Sequence, residues 1–163
     1  MTGERSADRA LVYRLLARTL QPPEPARINA IKGEDLPELG SALKRLGATP
    51  ELLAPAERLV ECLLDPDLAR LKREYESAFE VSGGAERPPN ETAHAPESPQ
   101  EGLTKSYELA DIAGFYRAFG VEVEPGTERV DHIAVELEFM HLLAVKEAVA
   151  EVKGEPENAA ICR

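Results

Sequence analysis

The chain of 163 residues contains no tryptophan, only two cysteines and few aromatic residues. Cys62 and Cys162 supply neither a disulfide framework nor a metal-ligand set, and the helical apolar pattern around Cys62 predicts a small buried side chain. No apolar run reaches the roughly 20 residues of a membrane-spanning helix, and the N-terminus MTGERSADRA lacks the apolar region of a signal peptide. These absences predict a cytoplasmic protein.

Positive charge is also scarce, with 19 lysines and arginines against 30 acidic residues and a formal net charge of −11. Such a balance repels nucleic-acid phosphates and anionic lipid surfaces, and it favours partners that carry lysine or arginine. A Walker-type phosphate loop, a G-x-G-x-x-G motif and a G-x-S-x-G nucleophile turn are all absent, so nucleotide chemistry and acyl transfer have no support. We expect no nucleic-acid or membrane partner.

Helical patterns with recognisable ends account for most of the chain. They predict a single-domain, all-α helical bundle over 1–163. Most helix starts are signalled by a serine, threonine or aspartate, and three of the ends by glycine. The predicted helices run from about Ser6 to Leu20, from Asp35 to Leu46 before Gly47, from Thr49-Pro50 to Leu64, from Asp65-Pro66 to about Gly83-Gly84, from Ser106 to Gly120, and from Ile133 to about Val152.

The last of these helices is apolar on nearly every face. Opposed apolar stripes over 133–149 predict that other helices surround it. Glu136 and Glu138 nevertheless lie in its most apolar part, and a buried charge is costly unless it is paired. Asp131 stands at the entrance, where it either caps the helix or, with His132, forms a binding site.

The stretch 81–103 contains four prolines and few large apolar residues. It predicts a long loop, which is either functional or a flexible linker. Residues 121–124 alternate valine and glutamate, but so short a run favours an extended connection over a strand.

A metal site is the main enzymatic alternative. Glu138 and His141 form a Glu-x-x-His pair, and His132 precedes Glu136 by four residues on one helical face. Bundle di-iron sites use two such pairs on different helices, whereas the third histidine, His94, lies in the loop without one. We therefore expect no bound metal or cofactor, with a metal-binding helical-bundle enzyme as the alternative.

Four longer motifs lie in the second half of the chain: YESAF, PPNETAH, ELADIAGFYRAFGVEV and ERVDHIAVELEFMHLLAVKEA. Together they resemble the TorD-like (TorD/DmsD/NarJ) family of cytoplasmic chaperones for molybdenum-containing redox enzymes, most strongly from Tyr75 to about Glu147. The family shares a Pro-Tyr-Glu loop motif and a Pro-Asp-His entrance that leads into a Glu-Leu-Glu-Phe-Met helix. In this chain Asn90 replaces the aromatic residue of the loop and Val130 replaces the proline of the entrance.

The resemblance implies a TorD-like bundle without enzymatic activity. Such a chaperone binds the apo catalytic subunit of a molybdoenzyme, or its twin-arginine leader peptide, during cofactor insertion. Asp131 and His132 are then the expected partner contacts, with Glu136 and Glu138 as arginine partners and Glu91 on a loop that acts as a flap. A generic adaptor for some other partner helix remains open.

Relatives in this family usually continue into further helix, whereas this chain stops at Arg163. We therefore expect a bundle that lacks the C-terminal helices of the family, or one that completes itself by domain swapping or as a homodimer.

Overall fold

The computed structural model describes residues 2–79, 88–94, 101–124 and 128–163, with the side chains of all of these except 2 and 101–104. These residues form helices joined by short connections, and their only strand-like feature is an isolated bridge between Asn90 and His132. The all-α prediction is confirmed. The α-helices are α1 (Thr2–Thr19), α2 (Pro25–Ala30), α3 (Leu36–Leu46), α4 (Pro50–Leu64), α5 (Leu68–Phe79), α6 (Glu101–Ala118), α7 (Ile133–Lys153) and α8 (Pro156–Cys162).

Glycine and proline fix the helix ends as the sequence predicted. Gly47 ends α3 and Gly120 follows α6 with φ of +79° and +78°, a left-handed conformation that glycine adopts without strain. Pro50 occupies the first turn of α4, where no backbone N–H is needed. These ends are confirmed because they depend on local backbone chemistry alone.

Three predicted helix starts are wrong. Ser6 lies inside α1, where its hydroxyl donates to Glu151 at 3.0 Å, and Ser106 lies inside α6. The cap of α5 is Asp67 rather than Asp65, since its carboxylate accepts from the backbone N–H of Arg70 at 3.0 Å. A serine or aspartate side chain can serve a distant partner as well as a helix end, so its presence alone does not place a boundary.

The predicted connection after Pro22-Pro23 is also shorter than expected. Helix α2 begins at Pro25 and continues through one π-helical turn, Ile31–Asp35, directly into α3. The predicted loop over 81–103 lies in large part outside the described residues, but within them it ends at Glu101, where α6 begins. Residues 121–124 form an extended connection, as predicted.

The central packing of the fold is the antiparallel pair α1 and α7, the most extensive contact between described elements. Gly3 lies against Val152 at one end, and Gln21 lies against Glu138 at the other. Two apolar clusters flank this pair. The first contains Leu15, Ile31, Leu39 and Leu63, and the second contains Tyr116, Phe139 and Leu143.

Other helices cover α7 on part of its circumference only, so the prediction that they surround it is wrong for one face. Phe139 and Leu143 are buried, whereas Val145 and Val149 are 38% and 46% exposed because no described element covers that face. Cys62, predicted to be buried, is exposed on α4. No helix in the described ranges is long and apolar enough to cross a membrane.

Candidate functional site

The entrance of α7 is built around the carboxylate of Asp131, which is completely buried. Its oxygens accept hydrogen bonds from the Thr92 hydroxyl at 2.7 Å and from the Thr92 backbone N–H at 3.2 Å. Asn90 and Arg129 add further bonds at 3.2 and 3.0 Å. Burial opposes ionisation, but these donors outweigh it and hold the pKa of Asp131 below its ordinary value.

His132, and not Asp131, caps α7. Its Nδ1 accepts from the backbone N–H of Ala134 at 3.1 Å, so in the neutral ring the proton is on Nε2. That Nε2 lies 4.0 Å from a carboxylate oxygen of Glu128. The prediction that Asp131 could serve as the cap is wrong, because its side chain is directed toward the loop.

The segment 88–94 is fastened to the entrance by backbone bonds as well. The N–H of Ile133 donates to the carbonyl of Pro89 at 2.8 Å, and the N–H of Glu91 donates to the carbonyl of Asp131 at 2.9 Å. Asn90, which replaces the family's aromatic residue, contributes its amide bond to Asp131. The segment is therefore positioned as a flap over the start of α7.

Glu91, on this flap, faces Glu136 on α7. One carboxylate oxygen of Glu136 is buried without a hydrogen-bond partner. Burial, followed by the charges of Glu91 and Asp131, raises the pKa of Glu136. Burial and the same three carboxylates raise the pKa of the Tyr116 hydroxyl to about 12. The flap thus closes over an unbalanced negative charge.

Glu138 lies elsewhere, on the exposed side of α7, where it accepts from the Gln21 side-chain amide at 2.7 Å. It belongs to the rim of a groove of about 500 Å³, which we call the acid-rimmed groove. Aliphatic and aromatic side chains form the floor, and in the described part of the chain no lysine or arginine lines the groove. The floor is Tyr116, Val121, Val123, Val135, Phe139 and Leu142, and the acidic rim is Glu122, Glu124, Glu128 and Glu138.

Phe139 is the anchor of this floor. Its ring lies 4.5 Å from that of Tyr116, and 5.5 and 5.6 Å from those of Phe115 and Phe119. Tilted and edge-on contacts at these distances are favourable. The Tyr116 hydroxyl also donates to the carbonyl of Val130 at 3.1 Å, which connects the groove floor to the entrance of α7.

The sequence missed three acidic residues of the rim, Glu122, Glu124 and Glu128. The alternation of valine and glutamate over 121–124 was the available signal, because it places apolar and acidic side chains on opposite sides of an extended chain. A further acidic depression of about 460 Å³, lined by Glu91, Glu108 and Asp111 among others, lies beside the flap and was also missed.

The residues of the metal alternative do not converge. His141 Nδ1 lies 2.8 Å from the carbonyl of Ala10, an acceptor, so this nitrogen carries the proton. Glu138 is bonded to Gln21, and His132 caps α7. Within the described part of the chain, no three histidine, cysteine, aspartate or glutamate side chains are grouped as metal ligands.

Comparison with known proteins agrees with this architecture. A curated relative, a perchlorate reductase assembly chaperone protein from Dechloromonas aromatica, is 39% identical over 70 residues, which are 42% of this chain and 29% of the relative. The aligned region is thus less than a third of that relative's length. A solved structure of a protein assigned to redox enzyme maturation from Archaeoglobus fulgidus superposes with a TM-score of 0.53 and 18% identity, covering 94% of this chain and 89% of the other. At that identity the similarity supports the fold alone.

The family model described as the nitrate reductase delta subunit matches residues 47–162. That range includes the flap, the entrance of α7 and the acid-rimmed groove. The resemblance to the TorD-like chaperones is thereby confirmed, and the chain belongs to the nitrate reductase delta subunit family.

Proposed function

We propose that this protein is a chaperone that binds the apo catalytic subunit of a molybdenum-containing reductase, or its twin-arginine leader, during assembly. The observation that carries the proposal is the acid-rimmed groove, in which an apolar floor is bordered by four carboxylates and, among the described residues, by no lysine or arginine. A basic segment with apolar side chains complements both parts. The similarity to a perchlorate reductase assembly chaperone supports the same role.

The apolar floor and the acidic rim of the groove contribute differently to binding of the partner. Apolar side chains that cover Val135 and Phe139 gain about 25 cal/mol for each Å² removed from water. Each exposed rim carboxylate contributes roughly 0–1 kcal/mol to an ion pair. Affinity therefore depends on the floor, while the rim selects arginine over neutral side chains and speeds association.

The entrance of α7 contributes to binding of the partner in two ways. Because its carboxylate is buried and fully bonded, Asp131 acts through the flap, holding Glu91 and Thr92 in place. Glu128, whose carboxylate lies 4.0 Å from Nε2 of the buried His132, forms the edge at which an arginine of the partner meets the groove, and Glu138 offers a carboxylate further along the rim. His132 acts by capping α7 behind that edge. Glu136 faces Glu91 and is the carboxylate that gains most from an added cation.

This role requires no catalytic step and no cofactor held by the chaperone itself. A leader is accessible to such a chaperone before the subunit is exported, so the proposal places the protein in the cytoplasm. The chain is expected to show no turnover with substrates of the reductase.

Calorimetry with a synthetic leader that contains two arginines and an apolar stretch tests the proposal. Replacing the four rim glutamates with glutamine is expected to weaken binding about tenfold at low salt, since several small ion-pair contributions are lost together. The matched control replaces four exposed glutamates elsewhere and removes the same charge. The rim variant is Glu122→Gln, Glu124→Gln, Glu128→Gln and Glu138→Gln, and the control is Glu38→Gln, Glu51→Gln, Glu57→Gln and Glu157→Gln.

If the rim variant and the control bind the leader with equal affinity, the acid-rimmed groove is not where the leader binds. If wild type binds neither the leader nor the apo catalytic subunit of any molybdoenzyme of its host, the chaperone role itself fails. Binding that persists at high salt with full strength would show that the carboxylates do not contribute.

We further propose that the protein self-associates through the exposed apolar face of α7 and α8. Val145, Val149 and Ile161 border a groove of about 610 Å³ there, with Lys146 and Glu155 at its edge. Opposite charges at one edge complement each other across a two-fold axis, which suits a second copy. Light scattering is expected to show dimers that Val149→Lys reduces and Val152→Lys, 81% exposed and outside that groove, leaves intact. A monomer at high concentration would contradict this.

A further inference from the structure

A second groove opens between α1, α2, α4 and α5. It has a volume of about 260 Å³, and we call it the Cys62 groove. Its lining is mainly apolar, and the exposed thiol of Cys62 lies on its wall. The apolar lining is Ile28, Ile31, Leu59, Leu63, Leu71 and Phe79.

The Cys62 groove adjoins the acid-rimmed groove. Gln21 lines both, and its side-chain amide donates to Glu138 on the acidic rim at 2.7 Å. A polypeptide segment that passes Gln21 would therefore contact residues of both grooves.

The charged residues at the Cys62 groove are already satisfied within the chain. Arg18 donates to Glu34 and to Asp35, each at 2.8 Å. Glu74 accepts from Arg70 at 2.7 Å. Arg27 donates to the carbonyl of Pro22. Arg18 and Glu74 are thus paired with opposite charges, and Arg27 is hydrogen-bonded to a backbone carbonyl. The described lining therefore offers an occupant mainly apolar surface without an acidic rim, in contrast to the neighbouring groove.

We infer that the two grooves form one bipartite site, in which the acid-rimmed groove binds the basic part of a partner segment and the Cys62 groove binds the adjoining apolar part. The inference rests on the proposed function, because it assigns the second half of the same partner. Its support is the shared residue Gln21 and the difference in charge between the two grooves. A wholly apolar segment would gain no binding free energy from the four carboxylates of the rim. A wholly basic segment would gain none from the apolar lining of the Cys62 groove.

The two cysteines provide a direct test. Cys62 lies in the proposed site, while Cys162 lies on the α7–α8 face and serves as an internal control. Alkylation of each thiol is followed by mass spectrometry of the folded, full-length chain. The probes are a synthetic basic–apolar peptide and two matched peptides, one with its apolar residues replaced by serine and one with its arginines replaced by glutamine.

Saturating basic–apolar peptide is expected to slow alkylation of Cys62 at least tenfold and to leave that of Cys162 unchanged. The serine-substituted peptide is expected to bind at least fivefold more weakly and to leave Cys62 reactive. Cys62→Arg, which places a charge in the groove, is expected to reduce the affinity for the basic–apolar peptide to that of the serine-substituted one. Ala54→Arg, at an exposed position on α4 outside the lining of the groove, adds the same charge and is the control.

Normal binding of the basic–apolar peptide with unprotected Cys62 would overturn the bipartite site while the proposed function stands. Absence of binding by every basic peptide would instead defeat the proposed function. Protection of Cys62 that grows with protein concentration in the absence of peptide would show that a second copy occupies the groove, which also overturns the inference.

Discussion

The carboxylate of Asp131 accepts a hydrogen bond of 2.7 Å from the hydroxyl of Thr92, which lies 39 residues earlier in the chain, and both groups are buried. This contact fastens the flap to the entrance of α7. We expect Asp131→Asn to lower the free energy of unfolding by about 2 kcal/mol at pH 7, because a charged acceptor of several donors is lost. Chemical denaturation measures the change, with Glu57→Gln as an exposed control.

The same contact predicts that the stability difference between wild type and Asp131→Asn depends on pH. A carboxylate whose pKa is lowered in the folded state stabilises the fold above its unfolded pKa, and that contribution is lost as the pH falls through the folded pKa. The difference between wild type and Asp131→Asn should therefore shrink as the pH falls below 3.8, the ordinary value for aspartate. A difference that stays constant down to pH 2 would argue against an ionised, bonded Asp131.

The contribution of Glu136 to stability is expected to change with pH in the opposite direction to that of Asp131. Burial and the charges of Glu91 and Asp131 raise its pKa, so protonation stabilises the folded state fully below the ordinary value of 4.5, and this contribution is lost as the pH rises through the folded pKa. Glu136→Gln should then raise the free energy of unfolding at pH 7 by about 1 kcal/mol, since glutamine removes a buried negative charge that lies close to the charges of Glu91 and Asp131.

Thermal unfolding at pH 7 and pH 4 measures this effect. The gain from Glu136→Gln should fall at the lower pH, where the wild-type side chain is itself becoming neutral. Glu138→Gln, exposed on the same helix, should change little at either pH. A destabilising Glu136→Gln would indicate that the ionised carboxylate is needed in the fold.

Glu147 provides a third prediction, because it is 1% exposed and bonded by two arginines from different parts of the chain. Arg9 on α1 contacts one of its oxygens, and Arg163 donates to the other at 2.8 Å. Removing both arginines leaves a buried charge without a partner, which should cost about 3 kcal/mol. Glu147→Gln leaves only half-exposed arginines and should cost about 1 kcal/mol.

Denaturation of Arg9→Ala with Arg163→Ala, compared with Glu147→Gln, measures the two costs. Arg73→Ala, exposed on α5, controls for the loss of a positive charge. If Glu147→Gln proves the more damaging change, the carboxylate must be stabilised by groups other than these arginines.

We also expect no transition metal near one equivalent in protein purified without an affinity tag. His141 is bonded to a backbone carbonyl and Glu138 to Gln21, so this pair is not arranged as ligands. Elemental analysis checks the expectation. Iron, zinc or manganese near one equivalent that is lost in His141→Ala would revive the metal-binding alternative.

The sequence alone determined the fold class and the ends of several helices. Helical periodicity and the glycines Gly47 and Gly120 act within one or two turns, so they are readable without knowledge of the rest of the chain. The motifs around Asp131 identified the family for the same reason, since they form one long continuous pattern. From those motifs we expected Glu91, Asp131 and Glu136 at one site, but the motifs did not show how these side chains are arranged.

Tertiary structure decided what each of these residues does. The sequence could not show that Asp131 fastens the flap, because the flap donors Asn90 and Thr92 lie 41 and 39 positions earlier in the chain. With the Asp131 side chain turned to the flap, His132 is left to cap α7. The sequence also could not place Glu122 and Glu138 on one rim, or bring Gln21 between two grooves. Those relationships depend on the packing of both α6 and α1 against α7. Side-chain burial and long-range hydrogen bonds exist only once the helices have packed.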